Sequence, residues 1–337
     1  MQVFENISLK KYHTFGIDVK ARYFVEYASV DELKSFLESG MLSENKMLHI
    51  GGGSNLLFLK DYDGIILHSV IKGIEPVSSD NDSVTVKVGS GVVWDDFVQF
   101  CVDNNWYGAE NLSLIPGETG ASAVQNIGAY GVEVKDLIET VYAVEIATGN
   151  EVVFSNADCE YGYRESVFKG CLKGKFIVTS VVFKLSLLPE FKLTYQHLEA
   201  EVLKNGNITL QNVRNTIIAV RQSKLPDPEV LGNAGSFFMN PVMPKKHFLE
   251  LQAKYPEMPH YYVSETEEKI PAGWLIDRCG WKGRRIGNAA VHDKQALVIV
   301  NCGGASGHEI AGLSEQIRES VRAQFGVELV PEVNFIS

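Results

Sequence analysis

The sequence predicts an α+β fold spread over two or three domains. Its 337 residues exceed what one ordinary small core accommodates. Helical and strand-like periodicities mix along it without a steady strand–helix–strand rhythm, which disfavours a doubly wound sheet. Leu225-Pro226-Asp227-Pro228 interrupts a helical segment with two prolines, the pattern of a domain boundary.

Ser29 or Asp31 opens a short helix over 29–39, with acidic residues in its first turn. Met47-Leu48-His49-Ile50 reads as a buried strand running into Gly51-Gly52-Gly53-Ser54-Asn55. Residues 84–88 alternate as a half-buried strand. Trp94, Phe97, Val98, Cys101 and Val102 share one face of a helix. Apolar runs at 141–147 and 151–154 flank Thr148-Gly149-Asn150, a hairpin signal. Residues 176–185 predict a long strand and 211–224 a helix that the prolines end. Beyond lie helices over 245–254 and 272–279, the latter stopped by Gly280, and a strand over 296–301. In the final helix Ile310, Leu313, Ile317, Val321 and Phe325 line one face and Gly326 caps the end. Residues 327–336 are apolar and extended.

Composition excludes several classes. The apolar fraction of 45% and charged fraction of 22% fit a soluble globular protein. A net charge of −11 opposes general affinity for nucleic acid or anionic membranes, while allowing a local basic pocket. Met1 to Lys10 lacks the basic-then-apolar pattern of a secretory signal. No run approaches the ~18 apolar residues of a spanning helix, so no membrane insertion and a cytoplasmic location are expected. The five cysteines are widely spaced with no Cys-x-x-Cys, and the eight histidines form no His-x-x-x-His. Neither a disulfide framework nor a metal site is expected.

Three stretches invite chemistry. Residues 232–241, Gly-Asn-Ala-Gly-Ser-Phe-Phe-Met-Asn-Pro, set one hydroxyl, Ser236, among small and amide residues. They read either as a turn with Phe237 and Phe238 as core anchors, or as backbone brought close to a ligand. The Gly-x-Ser-x-Gly elbow of a hydrolase is absent, because position 238 is Phe. The triple glycine at 51–53 suits an anion nest, with Ser54 and Asn55 adding donors, or a tight turn. It is neither a Walker loop nor Gly-x-Gly-x-x-Gly, since position 56 is Leu. Residues 115–131 hold four glycines with Ser122, Gln125 and Asn126. They read as too small and polar for a core element, and as backbone wrapped round a planar or phosphorylated ligand, against a mobile loop as the alternative. Arg164 beside Tyr161 and Tyr163 suits a stacked, bidentate carboxylate contact or a surface turn. Arg221 and Lys224 near a helix end form an anion clamp or complement the helix dipole. Glu332, in an apolar terminal segment, is either at a solvent edge or functional.

In this order the motifs resemble the UDP-N-acetylenolpyruvoylglucosamine reductase family, over nearly the whole chain. The likeness rests on the 51–55 glycines, Ile115-Pro116-Gly117, Gln125-Asn126-Ile127-Gly128-Ala129-Tyr130-Gly131 and Tyr163-Arg164-Glu165-Ser166. Lys224-Leu225-Pro226-Asp227-Pro228, Gly232 to Phe238, Ala272-Gly273-Trp274-Leu275-Ile276-Asp277, Ala289-Ala290-Val291-His292 and Pro331-Glu332-Val333 complete it. A tyrosine-bearing loop near 195 and the tyrosines at 261–262 resemble the longer, type I form.

The resemblance implies a two-subdomain FAD-binding module of the vanillyl-alcohol-oxidase (PCMH) type, at 1–70 and 71–222. A C-terminal α+β substrate domain at 223–320 follows, and 321–337 return to the active site. It implies that NADPH reduces a noncovalent FAD, which then reduces an enolpyruvyl nucleotide sugar; another FAD-linked oxidoreductase of this fold and a non-enzymatic nucleotide-sugar binder are the alternatives. No histidine lies in 51–55 or 115–131 to tether a flavin. By the same match the catalytic residues are Arg164, Ser236 as proton donor and Glu332. The FAD contacts are Gly51, Gly52, Gly53, Ser54, Asn55, Pro116, Gly117, Gly120, Ser122, Asn126, Gly128 and Tyr163. Substrate contacts are Tyr130, Tyr195, Arg221, Lys224, Asn240 and Gln295, and the protein is expected to be a monomer. Three positions depart from the family: Met239 where Lys is common, Ala123 where Pro is common, and Glu118, expected to turn to solvent away from the diphosphate.

Overall fold

The predicted alternation at 84–88 takes its place in an antiparallel sheet of five strands. In the computed structural model, which describes residues 1–195 and 197–337, the sheet order is Glu151–Ser155, Ile138–Glu145, Phe176–Ser186, Ser83–Gly89, Ile74–Ser79. The chain sorts into two units. Unit 1 comprises residues 1–7, 21–52 and 63–221; unit 2 comprises 8–20, 53–62 and 222–337.

In unit 1 a second sheet orders Gln2–Ser8, Lys20–Tyr27, Tyr62–Ser69 and Met47–Ile50, the last two parallel. Helix α1 (Val30–Glu38) begins at Ser29, whose side chain accepts from the Glu32 N–H at 3.1 Å, an N-cap that satisfies an otherwise orphaned donor. It buries Leu33 and Phe36 among Val25, Tyr27, Ile65 and Leu67. Helix α2 (Trp94–Asp103) turns its predicted face, Trp94 to Val102, inward. Its Trp94 and Phe97 pack edge-on or tilted with Phe183 of the long strand. The hairpin at Thr148-Gly149-Asn150 forms, with Gly149 at φ +72°.

The glycine-rich stretch departs from the loop the sequence suggests. It forms a short helix, α3 (Thr119–Gln125), with Thr119, Gly120, Ser122 and Ala123 buried. Small size is what admits it: a Cβ on Gly120 would stand 2.8 Å from the Ser90 Cβ. Its hydroxyls are satisfied internally, Ser122 Oγ donating to the Thr119 carbonyl at 2.7 Å and Thr119 Oγ1 to that of Val92 at 3.1 Å, so burial carries no unpaired-donor penalty. Helices α4 (Leu198–Lys204) and α5 (Leu210–Lys224) pack Leu198, Val202, Val213 and Ile217 together.

Unit 2 holds α6 (Lys245–Lys254), α7 (Ala272–Arg278) and α8 (Gly307–Phe325). Its four-stranded sheet runs Gly232–Ser236, Val298–Asn301, Ala289–Val291, Arg285–Ile286. A three-stranded sheet joins Val242–Pro244, Glu267–Lys269 and Tyr261–Tyr262. The extended C-terminal segment contributes Asn334–Ile336, parallel to Leu56–Phe58. Helix α8 starts with a reciprocal Ser306–Glu309 capping box and ends at Gly326 in the left-handed conformation, φ +67°. Ile310, Leu313, Ile317, Val321 and Phe325 are all buried, as their spacing predicts.

Two glycines of α8 separate packing from propensity. A Cβ on Gly307 would stand 2.0 Å from the Phe58 carbonyl oxygen, whereas one on exposed Gly312 would meet nothing within 4 Å. Gly307→Ala is expected to lower unfolding free energy by about 3 kcal/mol, and Gly312→Ala to raise it by roughly 0.5–1 kcal/mol. Denaturant midpoints of the two variants, measured side by side, check the pair.

Candidate active site

In unit 1 the guanidinium of Arg164 is held by backbone. Residues 162–165 form a tight turn in which Gly162 and Glu165 exchange two hydrogen bonds of 3.1 Å. Arg164 occupies it at φ +58°, a region that costs a side-chain-bearing residue of order 1 kcal/mol. Its Nη2 donates to the Gly128 carbonyl at 2.8 Å and Nη1 to that of Asn126 at 3.3 Å. Gly128 has to be glycine, because a Cβ there would stand 3.0 Å from Arg164 Nη1. Tyr163 beside it is exposed and lies 5.5 Å below the Arg164 cation.

Asn126, fully buried at φ +45°, organises this turn. Its Nδ2 donates to the Gly162 carbonyl at 2.7 Å and to Glu133 Oε2 at 3.1 Å, and its Oδ1 accepts from the Lys135 N–H at 3.2 Å. Its side chain, like that of Ser122, is therefore spent on holding the local structure.

The next hairpin pairs Gly128–Ala129 with Val132–Glu133 through Tyr130 and Gly131, both at positive φ, the geometry of a type I′ turn. It presents the Tyr130 ring edge-on to Tyr195, centroids 5.9 Å apart. Buried Asn111 fixes both sides, donating to the carbonyls of Tyr130 at 2.9 Å and Lys192 at 2.7 Å. Burial pushes the Tyr130 phenol above its ordinary value, and the nearby Arg221 opposes that. Arg221 is the reciprocal case: burial lowers its guanidinium, Tyr130 and Asp95 oppose, and Arg164 adds repulsion. Its Nε is buried with no hydrogen-bond partner among the described residues. Two arginines and two tyrosines thus converge, an arrangement suited to an anionic ligand. Lys224, three residues on, is exposed.

The glycine loops meet in the same unit. A Cβ on Gly52 would stand 3.3 Å from the Gly117 Cα, and one on Gly51 3.2 Å from the Ala121 Cβ. Pro116 is exposed and Gly117 half-buried, its carbonyl accepting from the Trp94 N–H at 3.0 Å. No backbone carbonyl among the described residues accepts from the N–H of Gly52, which leaves a donor of the kind an anion nest uses. Glu118 is misplaced by the sequence reading. It is buried rather than turned to solvent, because His68 Nε2 lies 3.0 Å from its Oε1.

In unit 2 Gly232 and Asn233 build the serine segment. A Cβ on Gly232 would stand 2.3 Å from the Phe15 carbonyl oxygen. Buried Asn233 donates to the carbonyls of Pro226 and Leu231 and accepts from the Gly235 N–H at 2.8 Å. Against Val298–Asn301 the register slips between Asn233 and Ser236, a bulge that re-aims the following side chain. Ser236 emerges exposed, and Phe237 and Phe238 are buried as anchors. The Glu332 N–H donates to the Phe237 carbonyl at 2.8 Å, and the Met239 N–H to that of Val330 at 2.9 Å. Asn55 Nδ2 donates to the Glu332 carbonyl at 3.0 Å, while its own carbonyl accepts from the Asn334 N–H. Ser236 and Glu332 are therefore fixed by one backbone lattice, with Asn55 in it. Asn240 and Gln295 meet at the start of α7: Asn240 Oδ1 accepts from the Ala272 N–H at 2.9 Å, and Gln295 Oε1 lies 3.1 Å from where a Gly273 Cβ would be.

Sequence reasoning missed Asp95 and Arg214. Arg214 on α5 grips Asp95 on α2 through two hydrogen bonds, 2.8 and 2.9 Å, and Asp95 Oδ1 accepts from the Leu114 N–H at 2.6 Å. The clamp fixes α5, which carries Arg221, to the start of the Pro116-Gly117 loop. No local spacing announces a pair 119 positions apart.

Residues 21–155 match the model of the FAD binding domain family. The chain is thus of the flavoprotein class, with a PCMH-type FAD-binding domain in an α+β fold. Residues 227–336 match the C-terminal domain of UDP-N-acetylenolpyruvoylglucosamine reductase. The reductase of that name from Bacteroides fragilis strain YCH46 is 57% identical over 98% of this chain and 99% of its own. That from Porphyromonas gingivalis ATCC 33277 is 48% identical over the full length of both. The crystal structure of the Thermus caldophilus enzyme superposes over 100% of both chains with a TM-score of 0.69 at 23% identity, which shows the shared fold. The chain belongs to the UDP-N-acetylenolpyruvoylglucosamine reductase family.

Burial raises the Asp95 carboxyl, but the Arg214 hydrogen bonds and the Leu114 N–H outweigh it and hold it below its ordinary value. A depressed folded-state value contributes stability that is present above the ordinary carboxylate range and lost as pH falls through the depressed value. Asp95→Asn is expected to cost roughly 3 kcal/mol at neutral pH, the lower end for breaking a buried ion pair. That deficit shrinks as pH falls below ~4; urea melts at pH 7 and in acid check both the size and the trend.

Proposed function

We propose that this chain reduces the enolpyruvyl ether of UDP-N-acetylglucosamine to UDP-N-acetylmuramate, with FAD as bound cofactor and NADPH as hydride source, in peptidoglycan precursor synthesis. Family membership over the whole chain supports the activity. The single structural observation that carries the site reading is the backbone lattice fixing Ser236 and Glu332 together.

The residues present fit the cofactor. Among the described residues the N–H group of Gly52 has no backbone acceptor, and glycine at 52 and 117 lets two loops approach to backbone distance. Gly51 to Asn55 with Pro116 and Gly117 are the residues assigned to hold it. Gly120, Ser122, Asn126 and Gly128 shape that cradle from behind, and Tyr163 borders it. Reduced FAD supplies the hydride that reaches the vinyl carbon distal to the substrate carboxylate.

The protein's part is to receive the charge this creates. Negative charge spreads into the substrate carboxylate as the hydride adds, so a group that binds it more tightly in the transition state accelerates the step. Arg164, with a guanidinium already oriented by the carbonyls of Asn126 and Gly128, is assigned that role. Glu332 is its acidic partner. Ser236 donates the proton to the adjacent carbon. A hydroxyl is a weak acid, and it suffices here because the accepting carbon is strongly basic and held against it. Tyr195, Lys224 and Arg221 take the substrate diphosphate, with Tyr130, Asn240 and Gln295 as further contacts. NADPH and the nucleotide sugar use one site in turn.

Residues 1–70 and 71–222 are assigned to the two flavin subdomains, 223–320 to substrate binding, and 321–337 to the segment that brings Glu332 back. No helix among the described residues is long and apolar enough to cross a membrane. Our reading is of a cytoplasmic monomer that binds a small nucleotide sugar and not nucleic acid.

Ser236→Ala is expected to leave flavin bleaching by NADPH within about twofold of the parent, and to slow flavin recolouring by the enolpyruvyl substrate by roughly 10²–10⁴-fold. Stopped-flow absorbance separates the two half-reactions. Equal losses in both would refute the proton-donor role, and absence of substrate-dependent NADPH oxidation by the parent would refute the activity.

A further inference from the structure

Three titratable side chains meet in unit 1 where its glycine loops begin. His68 lies on the strand Tyr62–Ser69, in register with Ile50, the residue before Gly51. Its Nδ1 is 3.1 Å from Glu26 Oε1 and its Nε2 3.0 Å from Glu118 Oε1. An ionised carboxylate only accepts, so an imidazole that serves one at each nitrogen carries a proton on both. His68 is then an imidazolium, and the trio holds a single net negative charge. All three are mostly buried, with side-chain exposures of 12%, 21% and 11% for His68, Glu26 and Glu118.

Glu118 is also a joint. Its second oxygen, Oε2, lies 3.3 Å from where a Cβ on Gly51 would stand. Its backbone bridges to Val93, and the neighbouring Thr119 N–H donates to the Val92 carbonyl at 2.9 Å. The carboxylate therefore sits against the first glycine loop while its own residue opens the helix of the second. An unneutralised carboxylate there would repel a diphosphate. Accepting from an imidazolium tethers it to the sheet and cancels most of its field.

We propose that His68, Glu118 and Glu26 form a proton-bearing clasp that positions the two glycine loops and sets how tightly the chain holds FAD. The proposal rests on the reading that residues 51–55 and 116–120 hold that cofactor. His68 and Glu118 are positioning residues, acting through the loops.

The proton is stable where it sits. Burial lowers the His68 imidazole, but its carboxylate partners Glu118 and Glu26 outweigh burial and raise it above 6.5. The other titratable groups facing it keep their charge around neutrality. His49, on the strand Met47–Ile50, is pushed down to about 3 by burial and by the His68 charge. Tyr27, whose hydroxyl lies 2.9 Å from His49 Nε2, has its phenol pushed far up by burial. His68 is the member that titrates. As pH rises through its folded-state value the imidazole keeps one proton and serves one carboxylate, and uncompensated negative charge appears beside Gly51. FAD binding therefore weakens as pH rises.

The test is FAD release from the holoenzyme on serial dilution, followed by flavin fluorescence from about pH 6 to pH 9. The parent is expected to lose on the order of tenfold in affinity across that range, the equivalent of one pKa unit of coupling. His68→Gln should bind at pH 6 as weakly as the parent does at pH 9, with a flat profile. Glu118→Gln removes the repelling charge and keeps an acceptor, so it should hold FAD at pH 9 at least as tightly as the parent, with its inflection moved down toward an ordinary imidazole. Glu118→Gln is close to isosteric and carries the test alone if His68→Gln does not fold. Parent-like affinity and slope in His68→Gln, or equal weakening in both variants with the slope unchanged, would overturn the clasp. A parent that releases no flavin on denaturation would overturn the cofactor reading and this inference with it.

Discussion

The buried amide of Asn126 is the interaction on which unit 1's chemistry depends. One side chain ties two separate pieces of backbone, the turn at 162 and the turn at 135, and the carboxylate of Glu133 on the hairpin strand. Its own carbonyl is one of two that aim Arg164. Asn126 is fully buried, so a lost partner leaves part of its amide unpaired. That stringency is what keeps Arg164 in a left-handed conformation a free chain would leave. The guanidinium is thus oriented in advance, the condition that the catalytic role proposed for Arg164 requires.

Local signals carried most of the fold. Ser29, the 94–102 face, Gly149 and the capping of α8 act within a few residues, so period and cap residues suffice to read them. The 115–131 stretch was misread because glycine and serine look like loop until their partners are known. Ser90 and the Val92 carbonyl, some thirty positions earlier, turn small size into close packing. Glu118 failed for a related reason. Its placement depends on His68, 50 residues away, and charge arguments without that partner point to solvent. The Asp95–Arg214 clamp is likewise invisible to any window of sequence. Among the site residues, the resemblance supplied roles where spacing supplied only options. Ser236 alone was a turn residue or a ligand contact; the bulge beside it explains why it emerges while its neighbours stay buried.

Unit 2 solves a different problem, placing a hydroxyl and a carboxylate through main-chain bonds of their own segments. Ser236 and Glu332 are fixed by main-chain bonds, through Phe237, Met239 and Val330, while Phe15, Phe237 and Phe335 pack behind them. Asn55 joins the same lattice, so a residue of the glycine loop is also a strut for the carboxylate segment.

That lattice has a consequence for how the molecule is made. Unit 2 is assembled from residues 8–20, 53–62 and 222–337, and its Leu56–Phe58 strand waits for Asn334–Ile336. During synthesis the early pieces leave the ribosome long before their partner exists. Loop closure over so many residues is slow and entropically costly, and the waiting strand is an open edge meanwhile. Completion of the serine segment is thus tied to the arrival of residues 330–336. A chain cut short of residue 330 would carry Ser236 without the segment that braces it and would leave the Leu56–Phe58 strand as an open edge.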